Sequence, residues 1–123
     1  MTRRATVNGK TFRVRLAADV YVRSTEFKNM VVIFDDEAPL YNHPQEARWP
    51  HRTREVMVPL DIVFLDRNFV IVDIESMLIE LVGTPDSELL VYRPSAPATY
   101  VIQIKGGLSD ASSIFVGDNV AIR

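Results

Sequence analysis

Val56-Met57-Val58-Pro59-Leu60-Asp61-Ile62-Val63-Phe64-Leu65-Asp66 is the stretch on which the reading of this chain turns. An apolar run of strand length follows a proline, and proline is tolerated at the first residue of a strand. One acid, Asp61, stands where the buried segment begins. A buried carboxylate needs hydrogen-bond donors or a paired charge. Asp61 is therefore either a scaffold acceptor taking backbone N–H bonds at a strand junction, or a polar anchor at the mouth of a cleft with Arg54 or Arg52 as its partner. The scaffold reading is favoured, because structural networks also hold buried acids.

Outward from this run, Phe69 to Ile74 reads as a second strand joined to the first at Asp66-Arg67-Asn68, and Met77 to Val82 continues apolar to Gly83-Thr84-Pro85. Thr99 to Ile104 alternates as a strand, with Tyr100, Ile102 and Ile104 on one face and Val101 and Gln103 on the other. A helical turn is expected around Ser109 to Ile114, then a tight turn at Gly117-Asp118 into a last strand, Asn119 to Ile122. At the other end, Asn8-Gly9 separates Ala5-Thr6-Val7 from Lys10 to Leu16. That pair suits a type I′ hairpin, whose two central residues need positive φ. Phe12, Val14 and Leu16 then face one way, and Thr11, Arg13 and Arg15 the other. Residues 17–29 are ambiguous between helix and strand, and Met30 to Phe34 reads as a short buried strand. Pro39, Pro44 and Pro50 make residues 35–55 the longest irregular stretch. The sum is a mainly β (α+β) single domain over 1–123. Its expected form is a compact curved sheet or small barrel of short strands with one or two short helices.

Composition narrows the chemistry. The 123 residues contain no cysteine, which removes thiolate nucleophiles, disulfides and cysteine-based zinc sites. No apolar run approaches a membrane span, and Met1-Thr2-Arg3-Arg4 has no apolar core behind its basic residues, so a cytosolic protein is expected. The net charge of −2 hides an asymmetry. Residues 1–28 hold seven basic residues against two acids, a net +5; the rest holds seven against fourteen, a net −7. The basic end suits an anionic partner or a charged strand edge that discourages pairing. Aromatics do not interleave with these charges, so nucleic acid is not the favoured partner.

Three segments in order are similar to the family called domain of unknown function 192: the strand entrance Val58 to Asp66, the segment Ser95-Ala96-Pro97-Ala98-Thr99-Tyr100 to Gly106-Gly107, and the turn Val116-Gly117-Asp118-Asn119-Val120. The resemblance implies a compact domain of β-strands with a short helix or two, and no established activity. It departs just before the first motif. Where relatives carry an aromatic-rich segment, this chain has His51-Arg52-Thr53-Arg54-Glu55-Val56.

No catalytic constellation stands out. There is no Gly-x-Ser-x-Gly elbow, and both histidines lie in the proline-rich stretch. Asp35, Asp36, Glu37, His43 and His51 match no metal cage spacing, and no cofactor is expected. Candidate ligand-binding residues are Asp61, Arg54, Arg52, Trp49 and His51, placing a cleft between the 48–55 segment and Asp61. Tyr41 and Trp49, with His43 and His51, have two equal readings: they line or cover a pocket, or the loop folds back and pins itself to the core with Trp49. The leading expectation is a non-enzymatic accessory or protein-interaction domain, with contacts through the 39–55 loop and the basic N-terminal hairpin. The alternative is a domain that binds a small anionic metabolite, and a hydrolase ranks last.

Overall fold

In the computed structural model, which describes residues 2–17, 37–49, 59–77, 79, 83–88 and 90–123, the chain is a curled seven-stranded sheet forming a half-barrel. The strands are β1 (Thr2–Val7), β2 (Lys10–Ala17), β3 (Glu37–Ala47), β4 (Leu60–Leu65), β5 (Ile71–Met77), β6 (Ala98–Lys105) and β7 (Ala121–Ile122). Their order across the sheet is β5-β4-β6-β3-β2-β1-β7. A four-residue α-helix, α1 (Leu108–Ala111), follows β6. No helix among the described residues is long and apolar enough to cross a membrane.

Local chemistry fixes much of this. Asn8 and Gly9 take φ of 49° and 85°, so Val7 pairs directly with Lys10 in a two-residue hairpin. Phe12 and Val14 are buried while Thr11 and Arg13 are exposed, as the alternation predicts. β4 and β6 lie side by side in the middle of the sheet and are covered on both faces. All six residues of β4 are buried. Its odd residues Val63 and Leu65 join a core with Ala5, Phe12, Ile102, Ile104 and Ile114 on the inner face. Its even residues Leu60, Ile62 and Phe64 join a second core with Tyr41 and Val101 on the outer face. Burial on both sides explains why the run lacks the polar alternation of a half-exposed strand.

The irregular stretch expected at 35–55 is corrected over 37–47. Glu37–Ala47 is a central strand, parallel to β2 through Glu37 to Tyr41 and antiparallel to β6 at Leu40 to Asn42 and at Ala47. The prolines fall where pairing is incomplete, Pro39 in the β2 ladder alone and Pro44 in neither ladder. The β6 ladder starts one residue after Pro39, and Pro44 lies in the register shift between Asn42 and Ala47. Tyr41 is accordingly no loop residue. It is fully buried, and its hydroxyl donates to the Gln103 side chain at 3.1 Å. The expectations for residues 18–36, including the strand Met30 to Phe34 and the acids Asp35 and Asp36, lie outside the described residues, as do most of residues 78–82.

The last strand is the shortest. Residues 117–122 run from one sheet edge to the other: Val70 bridges Asn119, Val120 donates to the Phe69 carbonyl, and Ala5 and Thr6 of β1 pair with Ile122 and Ala121. The two free edges of the half-barrel are thereby tied together.

Candidate functional site

The two ends of the inner face differ in kind. At one end Asp61 is 2 % exposed. One carboxylate oxygen accepts both the backbone N–H of Ser109, at 3.0 Å, and its hydroxyl, at 2.6 Å. The other accepts the Ser76 hydroxyl at 3.4 Å. Asp61 thus pins α1 across this end of the half-barrel. The approach is made possible by Gly106, whose N–H donates to the Pro59 carbonyl at 2.9 Å. A Cβ at Gly106 would stand 2.7 Å from the Pro59 Cβ and 2.9 Å from its backbone. Gly107 follows with φ of 84°, turning the chain into the helix. Leu108 and Ile114 then pack on the inner core.

At the other end the inner face opens into a cleft of about 360 Å³, lined by Arg3, Val14, Leu40, Asn42, Phe69, Tyr100 and Ile122. Strand alternation shows why the lining is mixed. The inner row of β1 reads Arg3, Ala5, Val7; that of β3 reads Ala38, Leu40, Asn42; that of β6 reads Tyr100, Ile102, Ile104. Each row is apolar along the half-barrel and carries its polar group at the same end. Between the ends the core is filled, with an apolar void of only about 10 Å³.

One wall of the cleft is held in an uncommon conformation. Phe69 has φ of 62°, the left-handed region that a bulky residue avoids. The Asp66 loop imposes it. The Asp66 carboxylate accepts the N–H groups of Asn68 and Val70 at 2.8 and 3.0 Å, and the Asp66 carbonyl accepts that of Phe69 at 3.0 Å. The ring is thereby laid over Tyr100, with centroids 4.5 Å apart and planes 21° from parallel. Glu46 ties the same loop to the sheet, accepting the Arg67 N–H and the Thr99 hydroxyl.

With this geometry in hand, comparison with known proteins settles kinship. A family model, DUF192, described as uncharacterized ACR, matches residues 3–122. The chain belongs to the DUF192 family. The fold of this DUF192 domain is similar to that of a protein of unknown function from Novosphingobium aromaticivorans DSM 12444. The TM-score is 0.83 over 98% of this chain and 84% of that one, at 20% identity. It is also similar to a candidate transcription regulator from Sinorhizobium meliloti 1021. There the TM-score is 0.81 over 99% of this chain and 94% of that one, again at 20% identity. Likeness at that identity establishes the fold alone. No curated protein matches the sequence.

The sequence-predicted site residues of the DUF192 domain fall in different places. Asp61 is in the scaffold contact just described. Trp49 is half-buried, stacked on His43 with centroids 5.3 Å apart, and its indole N–H donates to the Gln45 carbonyl at 2.7 Å. His51, Arg52 and Arg54 lie outside the described residues. Asp61 and Trp49 are not brought together. Asp61 pairs with Ile104, whereas Trp49 follows Ala47, the partner of Ala98. Six residues of strand, roughly 20 Å, separate those positions. Among the described residues no three His, Cys, Asp or Glu side chains form a metal-binding group. The cleft residues Arg3, Asn42 and Phe69 were not singled out from the sequence. One signal was there: Arg3 occupies the apolar register of Ala5 and Val7.

Proposed function

We propose that this DUF192 domain binds a small anionic molecule with an apolar body, in the open-end cleft rather than beside Asp61. The observation that supports this reading is the convergence of Arg3, Asn42 and Tyr100 at one end of three otherwise apolar rows. Ligand sites are concave, mostly apolar, and fitted with a few placed polar groups. A guanidinium binds a carboxylate or phosphate through paired N–H donors, and the Phe69–Tyr100 stack offers a flat apolar wall. Strain at Phe69 fits the same reading, since strained residues cluster at ligand clamps. Among the described residues, the polar groups of the lining are the Arg3 guanidinium, the Asn42 amide and the Tyr100 phenol, which suit recognition of an anion. The partner-docking reading is less well supported over 39–47, because that segment is a central strand and not an exposed loop.

The test is a thermal-shift screen of aromatic and aliphatic carboxylates and phosphate esters, followed by calorimetry on the hits. The expected result is stabilisation by a subset of anions. Arg3→Ala should weaken binding about tenfold, the loss of one charge-assisted contact, with unchanged stability of the free protein. A broad anionic library without a hit, or hits indifferent to Arg3→Ala, would overturn the proposal.

A further inference from the structure

One wall of the open-end cleft is held against the preference of its own backbone, and that wall points to a class of ligand. Phe69 is only half-buried, so core packing does not account for its left-handed φ of 62°. The conformation is imposed at both of its peptide groups. Its N–H donates to the Asp66 carbonyl at 3.0 Å, and its carbonyl accepts the Val120 N–H at 2.9 Å. The Asp66 N–H donates to the Val70 carbonyl at 2.9 Å and closes the loop. One Asp66 carboxylate oxygen takes the N–H groups of Asn68 and Val70 inside it. The second ring of the wall is fixed by the sheet. Tyr100 stands directly opposite Asn42 of β3 on one side and Leu65 of β4 on the other. It too is half-buried. Two stacked rings, each held through its backbone and each partly open, thus face an apolar lining that is aliphatic at Val14, Leu40 and Ile122.

Aromatic rings gain from offset stacking in addition to the apolar area they bury. A third flat ring can extend the Phe69–Tyr100 stack, whereas a saturated ring of the same size and charge gains the area alone. The Arg3 guanidinium is a planar fork that matches a carboxylate through two parallel N–H bonds. Given an anion site in this cleft, the proposal on which this one rests, we infer that the cleft selects an aromatic carboxylate over its saturated counterpart, and that Asp66 is the positioning residue that sets this preference by holding Phe69 against Tyr100. Among the described residues the lining includes Phe69 and not Asp66, so the effect of Asp66 on a ligand passes through the Phe69 ring.

The experiment measures matched acids by calorimetry on the full chain: benzoate against cyclohexanecarboxylate, and 2-naphthoate against its fully saturated decalin analogue. Each aromatic acid is expected to bind about fivefold tighter than its partner. Arg3→Ala should weaken both members of a pair alike and leave the ratio standing. Phe69→Leu should bring the ratio close to one. Asp66→Ala should lower it below about twofold. Asp66→Asn keeps a side-chain oxygen for the Asn68 and Val70 N–H groups and should retain the preference. Both members of a pair are measured on one preparation, so a loss of folded protein cancels from the ratio, and a merely structural role for Asp66 would not move it. Equal binding of both members, still dependent on Arg3, would overturn this inference and leave the anion site in place. Binding by none of these acids, with hits elsewhere in a broad anion screen, would do the same; no hit at all would remove both. A preference that survives Phe69→Leu would overturn the stack as its source, and a ratio unchanged in Asp66→Ala would overturn the role of Asp66.

Discussion

The two ends of the half-barrel use polar groups for opposite purposes. At the α1 end a carboxylate is 2 % exposed and its oxygens are taken up by Ser109 and Ser76. At the open end a guanidinium, an amide and a phenol surround a cleft of about 360 Å³. An acid at the head of a buried strand therefore marked the fold, while the residues that can meet a ligand lie at the ends of strands that read as ordinary. Polarity within an apolar pattern points to a site when it opens onto a cavity, and to a scaffold when its partners lie within the fold.

The largest effect that would break this comparison belongs to Asp61. Asp61→Ala strands the Ser109 N–H and hydroxyl in a buried place and should cost about 3 kcal/mol. Urea unfolding measures it, while the affinity of the surviving folded protein for a cleft ligand should stay as it was. A fall in affinity larger than the fall in stability would put Asp61 back into the site. Gly106→Ala tests the same end by overpacking. Its Cβ meets Pro59 at 2.7 Å, and a loss of about 2 kcal/mol is expected, seen as a lower denaturation midpoint.

At the open end Phe69→Gly separates stability from binding. The substitution relieves a left-handed strain of about 1–2 kcal/mol and removes a stacked pair with Tyr100 of about 0.5–1.5 kcal/mol. Net stability by urea unfolding should move little, while ligand affinity by calorimetry should fall severalfold. The smallest effect lies at neither end. On β5 the Glu75 carboxyl is held above its usual range, first by burial and then by the neighbouring Asp73 carboxylate. The folded state therefore keeps a proton that the unfolded state releases, so the contribution of Glu75 is fully present below the unfolded pKa. It is lost as pH rises through the raised folded value. Glu75→Gln should flatten that part of the stability–pH curve and be slightly more stable near neutrality, with no change at either end.

What the sequence disclosed, and what it hid, follows from how local each signal is. The Asn8-Gly9 hairpin was legible because both residues are needed at positive φ. The strands around Asp66-Arg67-Asn68 and the faces of β6 were legible from apolar runs and alternation. β3 was not, because Pro39 and Pro44 argue against a central strand unless the gaps in pairing around them are known. Tyr41, read as a loop aromatic, is consequently a core residue. The cleft was hidden for another reason. Arg3, Asn42, Phe69 and Tyr100 are far apart in sequence and meet only through the register of β1, β2, β3 and β6 and the placing of the Asp66 loop between β4 and β5. Tyr100 was assigned to the correct face with Ile102 and Ile104, yet nothing local said that this face ends in a cavity. The interleaving of Pro59 with Gly106 explains why two motifs more than forty residues apart occur together: one supplies the carbonyl and the other the only side chain small enough to reach it.

The segment 117–122 has a consequence for how the chain acquires its structure in time. The β1–β2 hairpin can form within microseconds of its own accord. Its outer edge, and the Phe69–Val70 edge on the far side of the sheet, stay unsealed until residues more than a hundred and roughly fifty positions later arrive. On a ribosome adding about 5–20 residues per second, both edges wait through many seconds of synthesis as exposed templates for pairing with other chains. Pairing of residues 119–122 with both edges is thus the step that closes those templates.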